Sequence, residues 1–420
     1  MLNLEQMGQN AVKAKIKLAT LATEAKNNAL CYIATALEKN SDYIKEENKK
    51  DCENGAKKGM SQALLDRLAL NDERIHSFAE GMRAVADLPD PVGRILEEVT
   101  RPNGLFLQKI SVPIGVIGII FEARPNVTAD AFALCFKSGN VVILRGGSDA
   151  INSNTAICNI IRNALAELSL PEDCVQLVED TSHESARDLM RLKKYVDLII
   201  PRGGKKLIQS VVENATVPVI ETGAGTCHIY LDKGANPDMA RDIVFWAKTS
   251  RPSVCNAAEC LLLHKDIAEK LLPQVATKLQ EKNVELRCDE KSYGILSGVV
   301  PQEKLLRATS EDWGMEYNDY ILAVKVVATM DEAIDHIRNF GTGHSECIVT
   351  DDKETAEEFL TQVDAAAIYH NASTRFTDGG EFGMGAEIGI STQKLHARGP
   401  LGLRELTSMK YKIYGKGQLR

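Results

Sequence analysis

Most signatures of a specialised protein class are missing from this sequence. No apolar run reaches the ~20 residues that a membrane-spanning helix needs. Near the start, Leu2, Leu4, Val12, Ile16 and Leu21 are scattered among polar residues that include Glu5, the pattern of an amphipathic helix and not the unbroken apolar block of a secretory signal. No arginine precedes Arg67, which speaks against a mitochondrial presequence, so a cytoplasmic location without membrane attachment is expected. A basic stripe is lacking too. The formal charge is −8 and the Lys and Arg residues are interleaved with acids, which excludes a nucleic-acid footprint and points to small molecules.

Ten cysteines are present, yet neither a CxxC pair nor a neighbouring grid of histidines accompanies them, so reduced thiols and no metal are expected. The GxGxxG loop of a dinucleotide-binding fold is also missing. Gly223-Ala-Gly225, Gly341-Thr-Gly343 and Gly383-Met-Gly385 lack the third glycine and the strand-to-helix setting, and they read as tight turns. Aromatic residues make up only 5%, but the hydrophobic share of 44% is well above that of disordered chains. A chain of 420 residues outgrows one core and suits two or three domains with a cleft, so an enzyme is the default expectation.

What is present reads as an α/β protein. Apolar residues at three- and four-residue spacing predict helices from 2 to about 86, and Asp87-Leu-Pro-Asp-Pro91 breaks them. Residues 97–112 predict a hairpin turning at Pro102-Asn103-Gly104, a ribbon suited to pairing with another subunit. From 112 to about 231, short apolar runs alternate with helices at about 127–138, 150–168, 184–192 and 205–214. A second alternating set runs from 237 to 370. The rhythm predicts two parallel sheets with right-handed crossovers.

Three stretches carry chemistry. Leu144-Arg145-Gly146-Gly147-Ser148 and Pro201-Arg202-Gly203-Gly204-Lys205-Lys206 end strands with glycines and cations where a phosphate could sit, though a plain helix entrance fits either equally well. Ser250-Arg-Pro-Ser-Val-Cys255-Asn-Ala-Ala-Glu259 places a thiol in a polar turn between helix and strand, the partial exposure a nucleophile needs. Cys135, Cys158 and Cys260 lie on apolar faces and read as core residues. His228 follows Cys227, but strand neighbours point to opposite faces, so a packed or capping histidine is expected.

Pro113-Ile-Gly-Val-Ile-Gly118, Ser138-Gly-Asn-Val-Val-Ile-Leu144, Glu221 and Cys255, the last two 34 residues apart, occur in an order that resembles the aldehyde dehydrogenase superfamily. Phe121-Glu-Ala-Arg-Pro-Asn-Val-Thr128, Cys227-His-Ile-Tyr230, Asn371-Ala-Ser-Thr-Arg-Phe-Thr-Asp378 and Gly385 to Pro400 are most similar to its branch that reduces γ-glutamyl phosphate in proline biosynthesis. The resemblance implies an aldehyde dehydrogenase-like fold. It would have a cofactor-binding domain at 1–96 and 113–226 with a return near 371–395, a catalytic domain at 227–370, and a β arm for oligomerisation at 97–112 and 400–420. It implies Cys255 as a nucleophile forming a thioacyl enzyme from L-glutamyl 5-phosphate, with Asn126 and the Cys255 N–H stabilising the oxyanion. Capping of the following helix is an equal reading of Asn126. Arg145, Gly146, Ser148, Gly203 and Gly204 would hold the cofactor. Glu316 would hold its nicotinamide ribose, a solvated surface acid being the equal alternative. Because Ser148 stands where many NAD-using relatives carry an acid, NADPH is the expected donor. Arg124 and Arg375 are the favoured cations for the substrate carboxylate, ahead of Thr374 and Arg398. A reductase would waste its activated acyl group by hydrolysis, so Glu221 is expected not to act as a hydrolytic base, and Glu221→Gln is expected to retain aldehyde formation. The implied partners are a second copy of the chain, at least as a dimer, and transiently the glutamate 5-kinase that makes the acyl phosphate. A hydrolytic aldehyde dehydrogenase acting on a small aldehyde is the alternative, and a non-catalytic scaffold is a third reading.

Overall fold

A computed structural model of the chain describes residues 3–122 and 124–420. Leu2 of the amphipathic start and Ala123 of the Phe121–Thr128 motif lie outside the described residues. The chain divides into two units. The first runs to Thr222 and takes back Gly383–Gly389 and Leu401–Arg420; the second comprises Gly223–Phe382 and Ile390–Pro400.

The first unit opens with five helices: α1 (Leu4–Leu18), α2 (Thr23–Lys39), α3 (Ser41–Lys57), α4 (Gln62–Leu68) and α5 (Asp72–Asp87). Asn3 and Asn71 start α1 and α5 by accepting the backbone N–H groups of Gln6 and Arg74, each satisfying an otherwise orphan donor. α2 buries Leu30, Ile33 and Leu37 and packs on α5, which buries Ile75, Phe78 and Met82. Each such side chain contributes ~1.5–3 kcal/mol.

After β1 (Ile95–Thr100) and β2 (Phe106–Pro113) the pattern changes to β3 (Val116–Phe121), α6 (Asn126–Lys137), β4 (Val141–Gly146), α7 (Ile151–Glu167), β5 (Val175–Leu177), α8 (His183–Arg191), β6 (Leu198–Arg202) and α9 (Lys205–Asn214). The strands form a parallel sheet in the order β5-β4-β3-β6. Every residue of β3 and β4 is buried, as expected of central parallel strands covered on both faces. Register pairs Phe121 with both Gly146 and Arg202, so the glycine-rich segments leave the sheet at the same, carboxyl-terminal end of the strands.

The second unit contains β7 (Cys227–Leu231), α10 (Pro237–Thr249), β8 (Ala258–His264), α11 (Lys265–Gln280), β9 (Glu285–Cys288), α12 (Glu290–Leu296), β10 (Leu305–Arg307), β11 (Ile321–Val327), α13 (Met330–Phe340), β12 (Ser345–Val349), α14 (Lys353–Gln362) and β13 (Ala367–His370). Its parallel sheet runs β10-β9-β11-β8-β7-β12-β13, and a short antiparallel pair, β14 (Ile390–Ser391) and β15 (Gly399–Pro400), follows. Where β7 meets β8, Cys227 pairs with Ala258 but His228 pairs with Cys260. Glu259 is therefore the extra residue of a bulge beside the Cys255 turn.

The chain ends by returning to the first unit as β16 (Thr407–Tyr414), which completes an antiparallel sheet β1-β2-β16. The hairpin between β1 and β2 turns where Gly104, at φ 84°, donates to the Arg101 carbonyl, a backbone conformation that favours glycine. β1 and β16 are exposed along almost their whole length. No helix among the described residues is long and apolar enough to cross a membrane.

Candidate functional site

In the second unit, the turn that carries Cys255 is held at its base, along its backbone and from one side. α10 delivers Lys248 and β8 delivers the bulged Glu259, and the two meet at 2.6 Å with both side chains buried. Burial pushes Glu259 up, to about 7, and pulls Lys248 down, the cost of desolvating both charges, which their contact offsets. This clamp closes the loop around residues 250–257.

Two neighbours hold the Cys255 backbone. The Cys227 thiol donates to the Cys255 carbonyl at 3.2 Å. Gly225 lies so close that a Cβ there would fall 1.5 Å from that same oxygen, so only glycine fits. From the side, Asn256 Nδ2 donates to the carbonyls of Arg375 and Thr377, at 3.3 and 2.9 Å, and the Thr374 hydroxyl donates to the Asn256 carbonyl at 2.7 Å. Arg375 donates to Asn256 Oδ1 and, at 3.2 Å, to Ser250 Oγ.

Cys255 itself is half-buried and all ten cysteines are reduced. Burial pushes Cys158, Cys174, Cys288 and Cys347 up to about 12, and raises Cys227 further, so these are protonated at neutral pH. Cys227 is thus a hydrogen-bond donor to the turn and not itself a nucleophile. Its other neighbour is His344, at 3.8 Å, which burial holds down to about 4 and therefore neutral. His344 Nδ1 meets Ser345 Oγ at 2.7 Å, and Thr377 Oγ1 meets both Ser345 Oγ and Tyr369 OH at 2.7 Å. This buried polar chain backs the turn.

Glu316 reaches the same place, where its Oε1 accepts the Gly225 N–H at 3.0 Å. Its segment is anchored by the neighbouring Asp312, which accepts from Arg287 at 2.7 Å, the Thr309 N–H at 2.7 Å and Tyr317 OH at 2.9 Å. Burial opposes ionisation of Asp312, but these donors outweigh it and hold the carboxyl down, to about 2.

The first unit gathers the other expected residues at the strand ends. Phe121, Glu122, Arg145, Gly147, Ser148 and Arg187 are among those lining a cavity of about 360 Å³. Arg145 is buried and its Nη2 donates to the carbonyls of Thr181 and Ser182, each at 2.7 Å. Glu122 Oε2 accepts the Gly204 N–H at 2.9 Å, at the start of α9 where an anion was anticipated. A Cβ on Gly203 would fall 2.7 Å from the Glu122 carboxyl. Asn126 is the first residue of α6, and its amide donates to Asp130 at 2.9 Å, so it does not cap the helix. Arg124 stands in the loop between β3 and α6, its N–H donating to the Glu122 carbonyl at 2.6 Å. Cys255, Arg375 and Glu316 thus converge in the second unit, and Arg145, Gly146, Ser148, Gly203, Gly204, Asn126 and Arg124 lie in the first.

No local pattern around Glu122, Gly225, Asn256 or Cys227 announces these contacts. Glu122, Asn256 and Cys227 stand inside motifs already noted, but their partners lie 82, 119 and 28 residues away.

The aldehyde dehydrogenase family profile matches residues 3–295. Among curated proteins, the γ-glutamyl phosphate reductase of Clostridium perfringens is 58% identical over 413 residues, 98% of each chain. That of Heliobacterium modesticaldum is 55% identical over 417 residues, 99% of each. Among solved structures, the γ-glutamyl phosphate reductase of Thermotoga maritima superposes with a TM-score of 0.95 at 47% identity, covering 99% of both chains.

Proposed function

The chain belongs to the aldehyde dehydrogenase family, among its γ-glutamyl phosphate reductases, and from that premise we propose that it converts L-glutamyl 5-phosphate, NADPH and a proton to L-glutamate 5-semialdehyde, inorganic phosphate and NADP⁺. It is an oxidoreductase of proline biosynthesis. The observation that carries the chemical reading is the half-buried Cys255 in a turn braced by Asn256, Cys227 and Gly225, with Arg375 alongside.

In this mechanism the Cys255 sulfur attacks the acyl carbon, the C–O bond to phosphate breaks, and a thioester forms with release of inorganic phosphate. A bound nicotinamide cofactor would supply the hydride that this carbon takes up. The resulting thiohemiacetal collapses, its C–S bond breaking to return the thiolate and release the aldehyde. The Cys255 N–H and Asn126 are the proposed donors to the carbonyl oxygen as charge develops. Arg124 and Arg375 are the proposed cations for the substrate carboxylate, and Glu316 the acceptor for the nicotinamide ribose.

Support for a dinucleotide in the first unit comes from the cavity at the strand ends, which Gly147 and Ser148 line together with Arg145 and Arg187, and from the glycine-rich segments that follow β4 and β6 at that same end of the sheet. Two features support NADPH over NADH. Ser148 is not an acid, and the adjacent Asp149 is ion-paired with Lys58 at 3.2 Å, which weakens its repulsion of a 2′-phosphate. Exposed apolar side chains on β1 and β16 support an oligomer built through the arm, and a glutamate kinase is the expected supplier of the acyl phosphate.

The reverse reaction tests this reading: glutamate 5-semialdehyde, inorganic phosphate and NADP⁺, with NADPH followed by absorbance. Phosphate-dependent NADPH formation is expected. Formation indifferent to phosphate would instead mark a hydrolytic aldehyde dehydrogenase, and no formation with NADP⁺ or NAD⁺ would remove the assignment.

A further inference from the structure

His228 on β7, Cys260 on β8 and His336 on α13 meet inside the second unit, all three buried, with one ligand atom of each within 4.8 Å of the others. The Cys260 sulfur stands 3.7 Å from His336 Nε2. Tetrahedral zinc with Zn–N of ~2.0–2.1 Å and Zn–S of ~2.3 Å spaces its ligand atoms ~3.3–3.8 Å apart, so small side-chain rotations complete the geometry.

The surroundings are those of a metal ligand set and not of a plain core. His228 Nδ1 lies 3.0 Å from Glu346 Oε2, which also accepts the His228 backbone N–H at 2.7 Å. That carboxylate fixes the ring and leaves Nε2 as the remaining ligand atom, the carboxylate–histidine–metal arrangement. His228 Nε2 is buried beside Cys260 without a hydrogen bond of ordinary geometry, and Glu346 Oε1 is buried without a partner among the described residues. Orphaned polar atoms of this kind are costly in a folded interior and call for a ligand. Trp313 and Phe340 wall the His336 ring at centroid distances of 5.4 and 4.7 Å and keep the site dry.

We propose that His228, Cys260 and His336 bind one zinc-type divalent cation. Its two positive charges are balanced by the Cys260 thiolate and the Glu346 carboxylate, with both imidazoles neutral, so the buried cluster carries no net charge. Binding releases two protons, that of the Cys260 thiol and that on Nε2 of the His228 imidazolium otherwise paired with Glu346. Metal on His336 Nε2 leaves the proton on Nδ1, and Lys325 Nζ, 3.4 Å from Nδ1, swings to Glu332, 3.7 Å away. The cation ties β7, β8 and α13 together just behind the segments that carry Cys227 and Cys255, and its role is to brace that framework.

The test uses the full chain produced in cobalt-supplemented medium, with Co²⁺ as the spectroscopic stand-in for Zn²⁺. About one bound cobalt per chain is expected, with a near-ultraviolet thiolate-to-cobalt charge-transfer band and the visible bands of a low-coordinate ion. X-ray absorption on this unaltered protein is expected to show one sulfur at ~2.3 Å and two imidazole nitrogens at ~2.0 Å. Cys260→Ser and His336→Gln, checked for folding by circular dichroism, are expected to lose the charge-transfer band and to hold cobalt at least ~10-fold more weakly. A folded wild-type chain without stoichiometric cobalt, a donor shell of oxygens alone, or a band that survives in folded Cys260→Ser overturns the proposal.

Discussion

Among single residues, the ten cysteines are separated by environment and not by chemistry. Burial raises Cys158, Cys174, Cys288 and Cys347 to about 12, whereas Cys255 stands half-buried in a polar turn. Cys255→Ser keeps the shape of the turn but removes the thiolate, and it is expected to lower kcat at least ~10³-fold while leaving cofactor affinity intact. Steady-state kinetics beside a fluorescence titration of NADPH checks both halves. Glu122 makes the opposite kind of contribution. Its carboxylate takes the Gly204 N–H at the start of α9, where the proposed cofactor would bring phosphate. Glu122→Gln removes a like charge from that place, so the KM for NADPH is expected to fall ~3-fold or more at low ionic strength and less at high salt. An unchanged or raised KM would mean that Glu122 helps to hold the cofactor.

At the level of elements, two polar braces hold the Cys255 turn and the Glu316 segment in place. The Lys248–Glu259 pair links the end of α10 to the start of β8 with both charges buried. Glu259→Gln strands the Lys248 ammonium, and a loss of ~3–5 kcal/mol is expected, read as a lower urea midpoint. Replacing both residues, Lys248→Met with Glu259→Leu, is expected to recover most of that loss, because no unpaired charge remains. The second brace is Asp312, tied to Arg287, Thr309 and Tyr317. Its carboxyl titrates near 2 in the folded chain and near ~4 when unfolded, so its contribution is complete above ~4 and is lost as pH falls through about 2. Melting temperatures measured from pH 5 to 2 are expected to drop more steeply for the wild type than for Asp312→Asn, which starts lower and lacks this titration.

For the whole molecule, the β arm sets the expected assembly. β16 exposes Tyr411 and Ile413 by more than half, at 56% and 59%, and β1 exposes Ile95 and Leu96. A three-stranded sheet with apolar side chains in water is a natural seam between subunits. Light scattering after size exclusion is expected to show at least a dimer, and Tyr411→Glu with Ile413→Glu to shift it toward monomer. A monomeric wild type at micromolar concentration would remove the arm's assigned role.

Much of this was legible in the residues themselves. Short apolar runs such as 115–121 and 141–144 marked buried parallel strands, and the spacing between them marked crossover helices, because periodicity is a local property of the chain. The turn that carries Cys255 was readable for the same reason, since its polarity and its place between helix and strand are local. Resemblance of motifs then pointed to the family. What only the tertiary structure decided are pairings across long stretches of sequence. Strand order and register, not spacing, bring Gly225 against the Cys255 carbonyl, Arg375 to Asn256 and Glu122 to Gly204. The same holds for His228, Cys260 and His336, which no pattern of neighbouring residues could announce, because their ligand atoms meet only when β8 lies beside β7 and α13 packs in the same unit.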